Sequence, residues 1–180
     1  MTRMLKMLSA AAAIATMAAG VAAAQQLTVD ISKISEAGVG EKIGTVQITE
    51  GRNGVTFKVS VRGLPAGPHG FHVHQRGDCA ATMKDGKLEP GGAAGPHYDP
   101  EGKKAHRGPH GQGHKGDLPV LTANATGVNE TVTAPMLKLA DVQGRALIIH
   151  EGGDNYSDQP ENGGGKGRIA CGVVPKGGTE

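Results

Sequence analysis

The chain has very few aromatic residues: its 180 residues include two tyrosines, two phenylalanines and no tryptophan. It also lacks long helical patterns, because no window after residue 24 keeps a helical period over three turns. The apolar run at residues 8–19 is too short to span a bilayer. These absences argue against a helical or membrane-spanning protein. Thirty glycines and ten prolines instead indicate strands joined by long ordered loops.

The first 24 residues have the pattern of a secretory signal peptide. Arg3 and Lys6 precede the apolar run, and small residues lead up to Gln25. We therefore expect cleavage near Ala24, which leaves one soluble domain over residues 25–180 with no membrane attachment. No cysteine lies near the cleavage point, which argues against a lipid anchor. The alternative is a helix retained in the mature protein.

The chain also lacks a large excess of charge of either sign. The chain has 19 Lys and Arg against 17 Asp and Glu, and Arg3 and Lys6 in the leader account for the difference. The domain after the leader is therefore formally neutral. A basic protein that binds nucleic acid is not supported.

Cysteine is scarce as well, with only Cys79 and Cys171. In a protein directed to an oxidising compartment, a disulfide between them is the default interpretation. A pair of free thiols or of copper-binding thiolates is the alternative.

Several short segments have strand patterns. Apolar and polar positions alternate over residues 27–34, 42–48 and 55–61, and Arg52-Asn53-Gly54 has the composition of a hairpin turn. Further candidate strands are residues 69–74, 127–134, 145–150 and 168–174. Many short strands separated by turn residues predict an antiparallel sandwich or barrel.

Two segments do not fit this spacing. Residues 75–115 have little strand character, and residues 151–167 are rich in Gly, Asp, Asn and Pro. Loops this long are uncommon in a compact domain unless they are functional or disordered. Most of the histidines lie in or beside the first segment, so metal binding is the expected source of its order.

Seven of the eight histidines fall between His69 and His114. His72 and His74 are two positions apart on a predicted strand, so both imidazoles project from one face and can converge on one ion. His114 and Asp117 are three positions apart across a glycine, and with His106 they make a set of histidines and one carboxylate. Such a set suits a closed tetrahedral zinc site.

Five motifs together resemble the signatures of the copper/zinc superoxide dismutase family, in the family order and over nearly the whole mature chain. They are HGFHVH (69–74), AGPHYDP (94–100), HRGPHGQGHKGDLP (106–119), IIHEGGDNYSD (148–158) and GRIACGV (167–173). GGDNYSD and the cysteine in GDCA resemble the bacterial secreted branch. The resemblance implies an all-β fold, a flattened Greek-key antiparallel β-barrel or sandwich with two long functional loops.

The resemblance also implies the metal ligands, for one copper and one zinc ion per subunit. Copper would be bound by His72, His74, His97 and His150. Zinc would be bound by His97, His106, His114 and Asp117. His97 would therefore bridge the two ions and serve as the catalytic proton donor. Superoxide would be converted to dioxygen and hydrogen peroxide by alternate reduction and oxidation of copper.

Two further residues match family positions. Arg168 matches the arginine that borders the substrate channel, where a permanent positive charge can steer a small anion; the alternative is a solvated arginine beside a strand. Asp154 matches the aspartate that joins a copper histidine to a zinc histidine by hydrogen bonds; the alternative is an ordinary turn residue.

His69 and His110 are left out of the predicted ligand set. His69 matches a structural histidine that bonds the backbone. His110 lies in the same Gly-Pro segment as His106 and could compete with it for zinc, but the HRGP motif favours His106.

Three other functions are compatible with parts of the sequence. A non-enzymatic relative would be expected to lack some ligands or Arg168, a secreted copper- or zinc-storage module would make His110 useful, and an adhesion module would leave the histidines unexplained. We expect the periplasm, with the cell exterior as the alternative. A monomer and a homodimer are both compatible with the sequence.

Overall fold

The computed structural model describes residues 25–177, so the predicted signal peptide lies outside the described residues. No helix in this part of the chain is long and apolar enough to cross a membrane. The described residues form eleven strands, one short α-helix and two 3-10 turns at Gly92–Ala94 and Glu161–Gly164. The strands and the α-helix are β1 (Gln26–Ser35), β2 (Gly38–Gly51), β3 (Gly54–Val61), β4 (Gly67–His69), β5 (Phe71–His74), β6 (Thr82–Lys84), β7 (Lys87–Glu89), β8 (Leu121–Ala123), β9 (Val128–Ala134), α1 (Leu139–Val142), β10 (Ala146–His150) and β11 (Arg168–Val173).

Seven strands form one curled antiparallel sheet in the order β5-β10-β11-β1-β2-β3-β9. The hairpins β1–β2 and β2–β3 are local, whereas the connections from β3 to β5 and from β9 to β10 run between distant positions in the sheet. This is a Greek-key arrangement. It agrees with the predicted all-β fold.

The alternating sequences form strands because one face of each packs on the core. In β3 the residues Val55, Phe57, Val59 and Val61 are buried. The predicted turn at residues 52–54 joins β2 to β3, and Gly54 has a φ of 108°, which an L side chain rarely adopts.

The predicted strand at residues 69–74 is divided in the structure. β4 pairs with β8 in a small separate sheet, whereas β5 pairs with β10 at the edge of the main sheet. Gly70, between them, donates its N–H to Gly152 and accepts from the N–H of His150. The break arises because the backbone of the second long loop takes the place of a strand partner.

The core lies on one face of the curled sheet. Phe57 and Phe71 meet edge to face there, with ring centroids 5.7 Å apart. Leu147 and Ile149 of β10 point into this core, while Ala146 and Ile148 point to the other face and pack in a second cluster with Cys79 and Cys171. All five residues of β10 are therefore buried, and its second face is covered by the first long loop.

Cys79 and Cys171 form the predicted disulfide, with Cα atoms 5.9 Å apart and a sequence separation of 92. The bond ties the loop after β5 to β11. That loop also contains the β6–β7 hairpin, within a segment whose sequence has little strand character. Asp85 and Gly86 form its turn with φ values of 51° and 78°, so the Asp-Gly pair was the available signal.

Candidate metal centre

Three histidines are placed by the main sheet. His72 and His74 alternate with Phe71 and Val73 on β5, so the two imidazoles lie on the face opposite the core. His150 ends the neighbouring strand β10, where a bulge follows Ile149. All three imidazoles are buried.

The first long loop brings the other histidines to β5 through backbone hydrogen bonds. The N–H of Val73 donates to the carbonyl of Gly116, the N–H of Tyr98 donates to that of Val73, and the N–H of Gly116 donates to that of Tyr98, at 2.8–2.9 Å. A Cβ at position 116 would collide with the carbonyl oxygen of Val73, so this close approach requires glycine. His97 and Asp117 thereby face His74 and His72.

The four imidazoles of His72, His74, His97 and His150, which we call the imidazole set, have ligand nitrogens within 4.8 Å of one another. Three buried ring nitrogens of this set have no hydrogen-bond partner: Nδ1 of His72, Nε2 of His74 and Nε2 of His150. Buried polar atoms are normally satisfied. Unpartnered nitrogens that converge in this way fit the donor set of a copper ion.

The second group, which we call the mixed set, surrounds one carboxylate oxygen. The Nδ1 atoms of His97, His106 and His114 lie 3.0, 3.0 and 3.3 Å from Oδ1 of Asp117. Ligands bonded to zinc at about 2.0–2.1 Å in a tetrahedron are separated by about 3.3 Å. The Nδ1 atoms of His106 and His114 have no hydrogen-bond partner. Three nitrogens and one oxygen at these distances fit a tetrahedral zinc site.

His72 also lies close to the mixed set. One nitrogen of His72 lies within 4.8 Å of ligand atoms of His97, His106 and Asp117, and these four residues form a possible metal-binding group without His114. Nε2 of His72 is already bonded to Asp154, so only Nδ1 is available, and it can serve one ion. His114 points its free Nδ1 at Asp117. We therefore assign His114, and not His72, to the mixed set on chemical grounds.

Asp154 lies between the two sets. Its Oδ2 accepts a hydrogen bond from Nε2 of His72 at 2.8 Å, and its Oδ1 accepts from Nε2 of His106 at 2.7 Å. These bonds leave Nδ1 of each ring free to face a metal. Gly163, with a φ of 68°, packs so closely that a Cβ would collide with the Asp154 carboxylate. The second long loop thus holds Asp154 between histidines of both sets.

Burial sets the protonation of the imidazole set. It lowers the pKa of His72 and of His74 well below the usual range, with a further contribution from the neighbouring His97. Burial and His97 also lower the pKa of His150 to about 3. Burial lowers the pKa of His97 itself, against the opposing effect of Asp117. These imidazoles are neutral at neutral pH, which is the form that binds metal.

In the mixed set the carboxylates have the larger effect. Burial opposes the charge on His106, but the adjacent carboxylates of Asp117 and Asp154 outweigh it and raise the pKa of His106 to about 9. Burial likewise opposes ionisation of Asp117, but the adjacent imidazoles of His106, His114 and His97 hold its pKa below the usual range. The negative charge of Asp117 is therefore balanced by a protonated His106 or by a bound metal ion.

Arg168 borders the site from the start of β11, where it pairs with His150. Its Nη1 donates to the carbonyl of Gly91 at 2.6 Å and its Nη2 to that of Gly95 at 2.8 Å. The side chain lines a cavity of about 530 Å³, together with His97, His114, His150, Lys84 and Lys166. A half-buried guanidinium therefore lies beside the imidazole set.

The carbonyl of Gly95 is a site feature that the sequence analysis missed. It accepts hydrogen bonds from Nη2 of Arg168 and also from Nδ1 of His74, both at 2.8 Å. One backbone oxygen therefore fixes the guanidinium and the tautomer of a site imidazole. Only the fold reveals it, because a carbonyl has no sequence signature.

His69 and His110 lie outside both sets. The ring nitrogens of His69 contact the carbonyl oxygens of His150 at 2.7 Å and Pro65 at 2.8 Å. His110 is exposed on the surface. His106, four positions earlier, is fully buried beside Asp117 and Asp154.

Comparison with known proteins places these features in one family. The family described as copper/zinc superoxide dismutase (SODC) matches residues 42–174. A superoxide dismutase [Cu-Zn] of Brucella abortus biovar 1 is 53% identical over 154 residues, covering 84% of this chain and 89% of the relative.

Two solved structures are also similar. The Cu/Zn superoxide dismutase from Brucella abortus has a TM-score of 0.81 at 53% identity and covers 83% of this chain and 99% of its own. The solution structure of the monomeric copper, zinc superoxide dismutase from Salmonella enterica has a TM-score of 0.74 at 48% identity, with the same coverage.

Proposed function

Because the chain belongs to the copper/zinc superoxide dismutase family, we propose that it converts two superoxide anions and two protons to dioxygen and hydrogen peroxide. The observation that carries the proposal is the convergence of five buried imidazole nitrogens without partners in two adjoining sets. A bound copper ion supplies the alternate one-electron oxidation and reduction, which zinc cannot because it has no redox chemistry.

We assign the imidazole set to copper and the mixed set to zinc. Four nitrogen donors suit copper, which favours tetragonal nitrogen ligation. Three nitrogens and a carboxylate suit zinc in a closed tetrahedron. His97 belongs to both sets, with Nδ1 facing Asp117 at 3.0 Å. Nε2 of His97 is then the atom that gives and regains a proton beside the imidazole set.

Arg168 attracts and holds the substrate. Its charge is permanent, and the carbonyls of Gly91 and Gly95 hold the guanidinium in place at the cavity. Because the domain after residue 24 is formally neutral, the attraction of superoxide depends on local positive charge. Arg168 and the bound metals supply that charge.

A metal-storage function is less well supported. Storage favours exchangeable sites and redundant histidines, but His110 is exposed and separate from both sets. The hydrogen bonds of Asp154 to His72 and His106 instead fix single ring orientations.

We further propose that the protein acts in the periplasm. The leader pattern, the disulfide and the bacterial sources of the similar proteins support this location. The similar Salmonella protein is described as monomeric, so a monomer is the first expectation here and a homodimer the alternative. Fractionation of cells that express the full chain tests the location, and sedimentation of the purified protein tests the assembly.

The function is tested by metal analysis and a superoxide assay on the same preparation of the expressed full chain. We expect one copper and one zinc per chain, together with dismutation that is lost on chelation and restored by copper. Full occupancy of both metals without dismutation would overturn the enzymatic proposal. The variant His74→Ala should lose copper and activity together.

A further inference from the structure

A polar cluster joins α1 to the two segments of the first long loop that carry His97, His114 and Asp117. Its members, which we call the Asp141 junction, are Tyr98, Lys115, Asp141 and Arg145. Nζ of Lys115 lies 2.8 Å from Oδ2 of Asp141, and both side chains are mostly buried, with 24% and 16% exposed. The hydroxyl of Tyr98 donates to Oδ1 of Asp141 at 3.3 Å. One carboxylate therefore contacts two separate segments of the first long loop.

Each of these segments carries residues of the mixed set. Tyr98 directly follows His97, and Lys115 lies between His114 and Asp117. The two segments are also joined by the backbone hydrogen bond from Gly116 to Tyr98. The Asp141 carboxylate thus adds a second, side-chain connection between the segment of His97 and the segment of His114 and Asp117.

Asp141 is itself held in place by residues outside the loop. It lies on α1, where its Oδ2 also accepts the N–H of Lys138 at 2.8 Å. Nε of Arg145 donates to the carbonyl of Asp141 at 2.8 Å, and its guanidinium lies over the Tyr98 ring, 3.8 Å from the centroid. The carboxylate is therefore a fixed point on the barrel, against which the loop is held.

We propose that Asp141 is a positioning residue for zinc, which holds His97 in register with His114 and Asp117. The inference rests on the proposed assignment of the mixed set to zinc. A carboxylate with a mostly buried ammonium partner and several hydrogen bonds resists displacement, because loss of either partner leaves a mostly buried charge unpaired. Removal of the Asp141 charge should let the two segments move apart and weaken zinc binding.

The test is the zinc affinity of Asp141→Asn, measured by competition with a chelator. Loss of partners that bond a metal ligand directly costs about 10- to 100-fold in metal affinity. Asp141 acts one step further away, so we expect a loss of about 10-fold, at the low end of that range. The spectrum of cobalt bound in the mixed set should also change, because the ligand geometry relaxes. Activity is not the measurement, since a freed Lys115 would add positive charge near the site.

Glu50→Gln is the matched control. Glu50 also fixes α1, because its Oε2 accepts the N–H of Leu139 at 2.7 Å, but it has no hydrogen bond to either ligand segment. We expect Glu50→Gln to lower thermal stability and leave zinc affinity and the cobalt spectrum unchanged. Equal zinc affinity in Asp141→Asn and Glu50→Gln would overturn the proposal, because α1 would then have only a structural role.

A double-mutant cycle gives a second measurement. Lys115→Met should weaken zinc binding and add little to Asp141→Asn, because both changes break the same ion pair. Fully additive losses would contradict the junction. The proposed dismutase function fails separately: a chain that binds zinc tightly but does not dismutate superoxide refutes that function and leaves the Asp141 inference intact.

Discussion

At the scale of single residues, the site depends on which ring nitrogen is already occupied. Asp154 takes Nε2 of His72 and of His106, and the carbonyl of Gly95 takes Nδ1 of His74. Each bond selects the nitrogen that is left for a metal. A histidine in this site is therefore defined by its second partner as much as by its position.

Arg168 offers the most direct test at this scale. Arg168→Ala should lower the dismutation rate by about 10-fold or more and reduce its dependence on salt, because a local source of attraction is lost. Arg168→Lys keeps the charge but lacks the planar guanidinium whose two nitrogens donate to Gly91 and Gly95, so an intermediate rate is expected. Steady-state rates at two ionic strengths, with both metals still bound, measure the effect. An unchanged rate in the alanine variant would remove Arg168 from the mechanism.

His106 and His110 can be separated by zinc content. His106→Ala should lose most of its zinc, because it removes a buried nitrogen 3.0 Å from Asp117. His110→Ala should retain full zinc, because that side chain is exposed. Metal analysis of the two variants after dialysis provides the comparison. The reverse result would show that the mixed set is wrongly assigned.

At the scale of elements, the loop between β5 and β8 takes its order from its attachments to the sheet. The disulfide joins it to β11, Gly116 and Tyr98 join it to β5, and Arg168 bonds it at Gly91 and Gly95. These attachments explain how a segment with little strand character holds a defined site.

The disulfide should contribute strongly to stability. A loop of 92 residues is closed by Cys79 and Cys171, and the chain-entropy account assigns such a closure up to about 4–5 kcal/mol. The double variant Cys79→Ser, Cys171→Ser should therefore have a lower free energy of unfolding in urea. Wild-type protein unfolded with a reductant is the control and should behave like the variant. Equal stability of variant and oxidised wild type would contradict this account.

The sequence predicts where strands lie better than where a strand is broken. The alternation in β1, β2 and β3 is visible because each has one buried face. The break at Gly70 is not visible, since it depends on the carbonyl of Gly152 far along the chain. The motif resemblance predicts that His72, His97 and Asp117 belong to one metal centre. Nothing in the sequence indicates that Tyr98 and Lys115 both contact Asp141. Long-range side-chain contacts of this kind require the fold.

At the scale of the whole molecule, the metal-free protein should be sensitive to pH. His72, His74 and His150 have folded pKa values well below the unfolded value of about 6.5. Their contribution to stability is present above about pH 6.5 and is lost as the pH falls, because only the unfolded chain then takes up protons. His106, with a folded pKa of about 9, acts in the opposite sense, and its contribution is lost as the pH rises towards 9.

Below about pH 6.5 His106 is protonated in both the folded and the unfolded state, so only the three histidines with lowered pKa values affect the pH dependence there. The metal-free protein should therefore lose stability from about pH 6.5 towards pH 4, and His106 should cause a smaller loss towards pH 9. Urea midpoints across this range provide the measurement. Metal-loaded protein should have a flatter profile near neutrality, because bound metal excludes protons from the same nitrogens. A metal-free protein that gained stability on acidification to pH 5 would contradict the prediction.

On β5, core residues alternate with metal-site histidines over Phe71–His74. Formation of the metal site therefore depends on the same strand register as formation of the core. A slip of one residue between β5 and β10 would turn imidazoles into the apolar core and core residues towards the metals. A chain in the wrong register could therefore neither pack its core nor bind its metals. Retention of both metal ions therefore reports that β5 and β10 have paired in the correct register.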